Sequence, residues 1–484
     1  MHKIKIFLII ITIYGSIMAQ NFNFEVSLYY NHGYFKEKSL KNRFFKHSEI
    51  LNLIERLNKS SVFRVQKLGY SFERKEIFLL NIGQGNKKIF FWSQMHGDEP
   101  TATAALFDIF NFLNDTIHYP DVRNLILKNC SLYFIPMLNP DGADNFSRRN
   151  SMMIDINRDA LRLESPEAKI LMKVFEEIKP DFAFNLHDQS HRFSVGNSFR
   201  QSAMAFLAPA FDYDKTIDST RLNSIKLISS LFEMLNNFIP GHISRYSDEY
   251  EPRAFGDNFQ KRGTSTILVE SCGWKNDPEK QFIRKLNFIT LISAIKQIAE
   301  ESYKNFNDED YNSIPLNEEK LYDLILRNLT ISKKGYEYKV DLAINYEEVL
   351  NRSKTGTFKK AKIENIGDLS TFFGIEDYDL SGYRIDSGKT MLREFDNLKE
   401  LKKENYIEIF KKGYTNVFVD NVRGEISDVP FNILTNKRKP DFSIQIGNNP
   451  TFLIKKNGKI EYSIINGFIQ NHNTKTFHNN GLIF

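Results

Sequence analysis

Continuous apolar runs recur along the first 300 residues and alternate with helical patterns. The runs 88–94, 182–186 and 266–269 each contain at least three consecutive apolar residues, as expected of strands buried on both faces. Between them, apolar residues recur with a spacing of three to four over 100–114 and 166–179, which predicts amphipathic helices. This alternation predicts an α/β fold with a mixed, mainly parallel sheet covered by helices on both faces.

Each of these three strands ends on residues that commonly bind or serve a metal. The first run leads into His96 and Glu99, the second into His187 and the third into Glu270. Ligands of open α/β sheets lie beyond the carboxyl ends of the strands, so these side chains can converge. Taken alone, His-x-x-Glu is weak, because a surface turn with a helix-capping acid has the same pattern.

The chemistry of this set fits a catalytic zinc ion. Such an ion typically has three His or carboxylate ligands and keeps its fourth position for water, whose pKa it lowers to about 7. We therefore expect one Zn²⁺ per chain on His96, Glu99 and His187. Glu270 would then be the general base that takes a proton from that water.

A second polar cluster lies between Glu99 and His187. It comprises 139–142, 148–150 and 155–159 and follows another apolar run, 132–138. Guanidinium groups bind carboxylates with two parallel hydrogen bonds, so arginines here suit a substrate carboxylate. An arginine-bearing loop that makes surface ion pairs is the alternative. Beside a zinc site, substrate recognition is the better interpretation.

In order and local context, these residues resemble the zinc carboxypeptidase family, which includes pancreatic carboxypeptidases A and B. The resemblance covers roughly residues 60–300. It rests on His96-Gly97-Asp98-Glu99, on His187 in Asn185-Leu186-His187-Asp188, and on Glu270 in Leu268-Val269-Glu270-Ser271. The resemblance implies the family's fold, the zinc ligands named above and Glu270 as the catalytic glutamate.

The same resemblance assigns roles to four further residues. Arg148 would polarise the scissile carbonyl, although Arg149 beside it leaves the assignment open by one residue. Asn157 and Arg158 would hold the terminal carboxylate of a peptide substrate. Tyr246 is our choice for the mobile tyrosine that often closes over the substrate in this family, with Tyr250 as the alternative.

The amino terminus has the three regions of a secretory signal peptide. Lys3 and Lys5 precede the apolar run 6–14, and the segment 15–19 that follows contains the small residues Gly15, Ser16 and Ala19. An uncleaved membrane anchor is the alternative, but the run is shorter than the ~20 residues that a membrane helix needs. We expect residues 1–19 to be removed and the protein to be secreted or periplasmic, without a membrane anchor.

The length of 484 residues and the 41% hydrophobic content favour two globular domains. We expect a zinc carboxypeptidase-like catalytic domain over 20–303, a linker over 304–312 and a smaller β-rich accessory domain over 313–484. Short alternating runs and the Asn457-Gly458 pair indicate strands and a hairpin in that domain, interrupted by a helical pattern over 391–411. No metal or nucleophile motif is found there, and its role is unknown.

Charge and cysteine content add two limits. The net charge of +5 does not indicate nucleic acid as a partner. Cys130 and Cys272 lie in or beside predicted buried strands, so packed free thiols are expected rather than a disulfide.

The sequence therefore predicts a secreted zinc metallocarboxypeptidase that acts on peptides with a free C-terminal carboxylate. An amidase that cleaves cell-wall (peptidoglycan) peptides, or an acyl amino acid deacylase, would use the same zinc chemistry on a different amide. A zinc-free binding protein on the same fold is a third hypothesis, although it normally goes with the loss of a ligand or of the glutamate.

Overall fold

The computed structural model describes residues 24–435 and 440–484. The chain divides into two compact units between Glu318 and Glu319. The predicted signal peptide, 1–19, lies outside the described residues. Within the described ranges, no helix has both the length and the apolar character that crossing a membrane requires.

The first unit is built on an eight-stranded sheet with the order β1-β2-β4-β3-β5-β9-β7-β8. Its four central strands, β4, β3, β5 and β9, are parallel, whereas β1 and β2 pair antiparallel on one side and β7 pairs antiparallel with β9 on the other. The strands are β1 (Arg64–Tyr70), β2 (Glu76–Ile82), β3 (Lys87–Ser93), β4 (Cys130–Ile135), β5 (Phe182–Asp188), β7 (Met204–Leu207), β8 (Ile243–Arg245) and β9 (Ser265–Ser271), while β6 (Ser194–Val195) pairs with β10 (Asn317–Glu318) outside this sheet.

Helices cover both faces of this sheet. Side chains alternate between the two faces along each strand, so neighbouring residues of one strand pack into different cores. On β3, Phe91 joins the core formed with α3, α7 and α9, whereas Phe90 and Trp92 join the core formed with α6 and α8. The helices are α1 (24–35), α2 (His47–Asn58), α3 (Thr101–Asn114), α4 (Pro120–Asn129), α5 (Pro140–Asp144), α6 (Pro166–Ile178), α7 (Ser219–Asn236), α8 (Phe255–Lys261), α9 (Gln281–Glu300) and α10 (Asp308–Asn312). The predicted α/β class with a mixed, mainly parallel central sheet is confirmed.

The segment predicted as a linker, 304–312, contains regular secondary structure. It contains the end of a 3₁₀ turn (Ser302–Asn305) and α10. Tyr311 is 3% exposed, its hydroxyl accepts a hydrogen bond from the Ala208 N–H at 3.3 Å, and the Arg245 guanidinium lies 5.4 Å from its ring centre. The polar composition of this segment gave no sign that Tyr311 is buried. The chain divides into its two units after this segment, between Glu318 and Glu319.

The second unit is β-rich, as predicted. Its larger sheet has the order β13-β12-β11-β15-β19-β20-β21, with β14 pairing parallel to β11, and its smaller sheet joins β16, β17 and β18 in parallel. The strands are β11 (Leu321–Lys333), β12 (Tyr336–Leu350), β13 (Thr357–Gly367), β14 (Phe373–Asp379), β15 (Arg384–Ser387), β16 (Lys389–Phe395), β17 (Tyr414–Val419), β18 (Asn432–Leu434), β19 (Phe452–Lys456), β20 (Lys459–Ile465) and β21 (Phe468–Asn471).

Two local predictions for the second unit can be compared with its structure. Asn457 and Gly458 join β19 to β20 with positive φ angles of 51° and 77°, which confirms the tight hairpin turn. The helical pattern over 391–411 is wrong in its first part, which is strand β16 in a parallel pair with β17. Only α11 (Leu398–Leu401) and α12 (Tyr406–Lys411) are helical.

Candidate metal centre and active site

The three predicted zinc ligands meet at the carboxyl ends of β3 and β5. One potential ligand atom from each of His96, Glu99 and His187 lies within 4.8 Å of the other two. Glu99 joins the imidazoles, because its Oε1 is 2.8 Å from His96 Nδ1 and its Oε2 is 2.7 Å from His187 Nδ1. All three side chains are buried.

The turn that carries His96 and Glu99 depends on glycine. Gly97 donates its N–H to the Ser147 carbonyl at 2.9 Å, and a Cβ at position 97 would come within 2.0 Å of the Gly142 backbone. Only glycine permits this close approach. The contact places the end of the β3 segment against the loop that carries the predicted substrate-binding arginines.

The electrostatics of the cluster favour a carboxylate between two imidazoles. Burial alone would raise the pKa of Glu99, but the neighbouring His96 and His187 hold that pKa well below its usual range. Burial has the opposite effect on a histidine and would lower the pKa of His96, but Glu99 and Asp155 raise that pKa to about 9. Glu99 is therefore ionised and presents its charge to both histidines.

Asp155 supports the first ligand and was given no role from the sequence. Its Oδ1 lies 3.0 Å from His96 Nε2 and also accepts the Asn157 N–H at 3.0 Å. Metal-binding histidines commonly place their second ring nitrogen against a carboxylate, which orients the ring. In the sequence, the available sign of this role is that Asp155 is an acid two residues before Asn157. The segment 155–159 otherwise predicts substrate binding.

Arg148 lies at the cluster and Arg149 does not contact it. Arg148 Nη1 is 3.1 Å from His96 Nδ1 and 3.3 Å from Glu99 Oε1, and its Nε donates to Asp155 Oδ2 at 3.1 Å. Arg149 instead donates to the Met153 carbonyl at 2.9 Å on the surface. Of the two neighbouring arginines, the geometry favours Arg148 for a role at the site.

The two residues predicted to bind the substrate carboxylate have different side-chain partners. Asn157 lies beside the third ligand, with Nδ2 3.5 Å from His187 Nε2, and its Oδ1 accepts the Phe255 N–H. Arg158 instead has its Nε 3.4 Å from Glu251 Oε2, and Arg253 donates to the same Glu251 oxygen at 2.7 Å. The guanidinium of Arg158 is thus already paired with a carboxylate of the chain.

Glu270 stands directly across from His187 in the parallel pair of β5 and β9. Its Oε2 is buried and has no hydrogen-bond partner among the described residues. Burial raises the pKa of Glu270 well above its usual range, and the charges of Glu99 and Asp188 raise it further. A buried, unpaired carboxyl oxygen of this kind is suited to exchange a proton.

Lys280 is a second residue that sequence reasoning missed. Its Nζ donates to the Ser271 carbonyl at 2.8 Å, to the Gln189 carbonyl at 3.3 Å and to Asp188 Oδ2 at 3.2 Å. It is buried, and its contacts join the ends of the strands that carry His187 and Glu270. A single lysine in the polar segment after β9 offered no signal for this position.

Tyr246, the predicted mobile tyrosine, follows the end of β8. Its side chain is 38% exposed, and its N–H donates to the Phe206 carbonyl at 2.8 Å. The alternative, Tyr250, packs edge-on against Tyr213 with a centroid distance of 5.1 Å. The role of Tyr246 stays a prediction.

Comparison with known proteins agrees with the resemblance stated from the sequence. A family model described as "Zinc carboxypeptidase" matches residues 50–162, which contain His96, Glu99, Arg148, Asn157 and Arg158. The chain is 26% identical over 144 residues to carboxypeptidase SOL1 of Arabidopsis thaliana, covering 26% of this chain and 29% of that protein. It is 26% identical over 116 residues to carboxypeptidase 2 of Trichophyton rubrum, covering 24% of this chain and 20% of that protein.

Among solved structures, the chain is similar to a metallo-carboxypeptidase from Burkholderia cenocepacia, with 13% identity and a TM-score of 0.44 over 54% of this chain and 70% of that one. The matches to carboxypeptidase SOL1 and carboxypeptidase 2 each span less than a third of the length of that relative. The resemblance to zinc carboxypeptidases is confirmed for the segment that carries two of the three candidate ligands.

Proposed function

We propose, from the zinc carboxypeptidase match over residues 50–162, that the chain is a secreted zinc metallocarboxypeptidase. It would remove residues from the C-terminus of peptides by hydrolysis. The observation that carries the proposal is the convergence of two buried imidazoles and a carboxylate within 4.8 Å, next to the buried, unpaired Oε2 of Glu270. Export is inferred from the signal-like residues 1–19 alone.

The donor set fits a zinc ion. Two imidazole nitrogens and one carboxylate are the ligands of many catalytic zinc sites, and such sites leave one position open. The carboxylate of Asp155 against the outer ring nitrogen of His96 is the support that metal-bound histidines usually have. A zinc ion held by His96, Glu99 and His187 would supply a Lewis acid that polarises the substrate carbonyl and makes water acidic enough to react near neutral pH.

The residues around the ligands can bind and orient a peptide. The terminal carboxylate of the peptide would displace Glu251 from Arg158 and accept a further hydrogen bond from Asn157. The guanidinium of Arg148 would then donate to the oxygen of the scissile carbonyl, where negative charge develops during attack. Arg158 sets the register of the peptide, and Arg148 stabilises the transition state.

Glu270 would move the proton that hydrolysis requires. Its Oε2 takes a proton from the attacking water as the new C–O bond forms at the carbonyl carbon. The same proton passes to the amide nitrogen as the C–N bond breaks, so the products are a shortened peptide and a free amino acid. Glu270 returns to its starting state after each turnover.

Zinc content and amino acid release, measured together, test this proposal. We expect about one zinc per purified chain and stepwise release of free amino acids from a mixed peptide library. Glu270→Gln should keep the zinc and lose release, whereas Glu249→Gln, which removes a 79% exposed acid, should keep both the zinc and the release.

A chain without zinc, or a Glu270→Gln variant that still releases amino acids, would contradict the proposal. Zinc without release from plain peptides, but with release from muropeptides or N-acyl amino acids, would reassign the substrate to a different amide. The zinc content therefore tests the metal centre, and the compound that is cleaved tests the choice of substrate.

A further inference from the structure

The second unit contains a cavity of about 500 Å³. Its walls come from the larger sheet, on strands β11, β12, β13, β14, β19, β20 and β21 and the segments beside them. All of its lining residues lie after Glu319, so it shares none with the candidate metal centre. This volume falls in the usual range for small-ligand sites, roughly 300 to 1,000 Å³.

The lining of the cavity combines aromatic rings with buried aliphatic side chains. The buried aliphatic residues are Leu326, Leu380 and Ile454. The rings that line it are Tyr346, Tyr378, Tyr383, Tyr462 and Phe468. Five aromatic rings around one cavity provide flat apolar surfaces on several sides.

Hydrogen bonds and ring stacking hold several of these rings in place. Tyr346 stacks on Phe468 at a centroid distance of 4.7 Å, and its hydroxyl donates to the Gly467 carbonyl at 3.0 Å. The hydroxyl of Tyr383 donates to Glu461 Oε2 at 2.8 Å, and this bond raises the pKa of Tyr383 to about 12. A wall whose rings already have fixed orientations loses little entropy when a ligand packs against it.

Tyr378 and Glu376 stand together on β14 at this wall. Tyr378 is 43% exposed, and its hydroxyl lies 3.4 Å from Glu376 Oε2. The two side chains therefore present an accessible ring and an accessible carboxylate to the same cavity.

The polar part of the lining is mixed in charge and rich in neutral groups. Glu376 and Asp379 contribute carboxylates, Lys359 contributes one ammonium group, and the neutral donors and acceptors are Asn471, Thr474, Thr476 and His478. A phosphate or nucleotide would need a group of cations, and a single lysine beside two acids does not form one. The lining suits a ligand that both donates and accepts hydrogen bonds and carries no strong charge.

The geometry points to a binding site for a neutral saccharide in this cavity. A sugar ring has C–H faces that pack on aromatic rings and hydroxyl groups around its edge that donate to carboxylates and accept from amides and hydroxyls. Both kinds of surface are present together on β14, where Tyr378 and Glu376 are neighbours. The second unit would then hold the protein on glycan-bearing material, independently of what the first unit cleaves.

Binding of the full-length protein to an immobilised array of neutral oligosaccharides tests this site. The array carries plain hexose and pentose oligomers and N-acetylated aminosugar oligomers, which distinguishes general polysaccharides from cell-wall glycans as the source. The strongest binder is then titrated by calorimetry. We expect saturable binding to at least one class, with Tyr378→Ala weakening it about tenfold and Glu376→Gln about fivefold through the lost charged acceptor.

Tyr336→Ala is the matched control, because Tyr336 is 79% exposed on β12 of the same unit and does not line the cavity. It should bind as the unaltered protein does. Glu376→Gln changes a single exposed atom, so it stays informative if Tyr378→Ala fails to fold.

Three results would overturn the inference. These are the absence of binding to every oligosaccharide, unchanged binding by both cavity variants, and tighter binding of tetramethylammonium than of any saccharide. The last result would indicate that the tyrosine rings recognise a cation instead.

Discussion

Glu99 concentrates the negative charge of the candidate metal centre on a single buried side chain. Its two oxygens each contact one imidazole, at 2.8 and 2.7 Å, and Oε2 also accepts the Asp188 N–H at 3.2 Å. These hydrogen bonds hold the three candidate ligands together.

Arg148→Ala is expected to reduce turnover about a hundredfold or more, because removing one donor to a developing oxyanion typically costs 10² to 10³ in rate. Steady-state kinetics on a small peptide provide the measurement. Arg149→Ala is the matched control and should retain turnover, since Arg149 bonds the Met153 carbonyl on the surface. Near-normal turnover of Arg148→Ala would remove Arg148 from the mechanism.

Glu251→Gln should lower KM by about 1.4- to fivefold, the range that corresponds to an ion pair of about 0.2 to 1 kcal/mol. The Arg253 side chain donates to Glu251 and holds its pKa at about 2, so Glu251 is charged and competes with a substrate carboxylate for Arg158. Arg253→Met is the opposing control. It leaves Arg158 as the remaining arginine on Glu251 and should raise KM, and a KM that does not respond to either change would place carboxylate binding elsewhere.

At the scale of elements, the register between β5 and β9 determines whether ligand and base meet. His187 pairs with Glu270 across these parallel strands, and both residues lie near the strand ends. A shift of one residue would turn one side chain to the opposite face of the sheet. Lys280 contacts both strand ends, through the carbonyls of Gln189 and Ser271.

Lys280→Met should lower the free energy of unfolding by about 1 to 3 kcal/mol, because the Ser271 carbonyl loses a buried donor and Asp188 loses its cationic partner at 3.2 Å, while Arg43 stays at 3.7 Å. Turnover should fall as well, with a smaller effect on KM, since the spacing of His187 and Glu270 is disturbed. Urea unfolding and kinetics measure the two effects. The double change Lys280→Met with Asp188→Asn should recover part of the stability, and a single variant as stable as the unaltered protein would contradict this role.

Stability of β20 and β21 should depend on pH through His472. This side chain is buried, stacks on Phe410 and lies 3.0 Å from Ser463 Oγ, and burial lowers its pKa to about 4. The unfolded chain takes up a proton near pH 6.5, which the folded chain does not bind until near pH 4. The stability contribution is therefore complete above about pH 7 and falls by about 2 to 3 kcal/mol as pH drops from 6.5 to 4.

Hydrogen exchange of peptides from β20 and β21, corrected for the intrinsic effect of pH, would measure this loss. His472→Gln carries no titrating group, so its pH dependence over the same interval should be smaller. An identical pH dependence in both proteins would contradict the assignment.

At the scale of the whole molecule, the two units have separate cores. Among the residues that the structure describes, two clusters of buried side chains lie in the first unit and three others in the second. All of the candidate catalytic, substrate-binding and metal-binding residues lie in the first unit, and the candidate saccharide site lies in the second.

Removal of zinc by a chelator should destabilise the first unit, because a ligand that binds the folded state stabilises it by about 2.7 kcal/mol at 100 times its Kd. Calorimetry combined with hydrogen exchange of peptides from each unit would separate the responses. We expect zinc addition to restore the first unit and to leave exchange in the second unchanged. His96→Ala is the control that should abolish the zinc effect, and an equal response of both units would contradict this separation.

Much of the first unit could be predicted from its apolar runs. The strands that carry His187 and Glu270 and the helices that begin at Thr101 and Pro166 occur close to their predicted positions. Burial on both faces leaves a continuous apolar signal, which a single sequence displays directly. The stretch 391–411 was less predictable, because the parallel pairing of β16 with β17 overrides a helical pattern.

The sequence by itself determined the alternation of strands and helices, the β-rich second unit and the candidate ligands His96, Glu99 and His187. These features depend on residue type and local spacing. Only the tertiary structure decided that Asp155 supports His96, that Glu251 pairs with Arg158 and that Lys280 joins two strand ends. Two of the partners of Lys280, Asp188 and Gln189, lie 92 and 91 residues before it. For all three residues the contact depends on where the folded chain places the side chains, which a local pattern does not record.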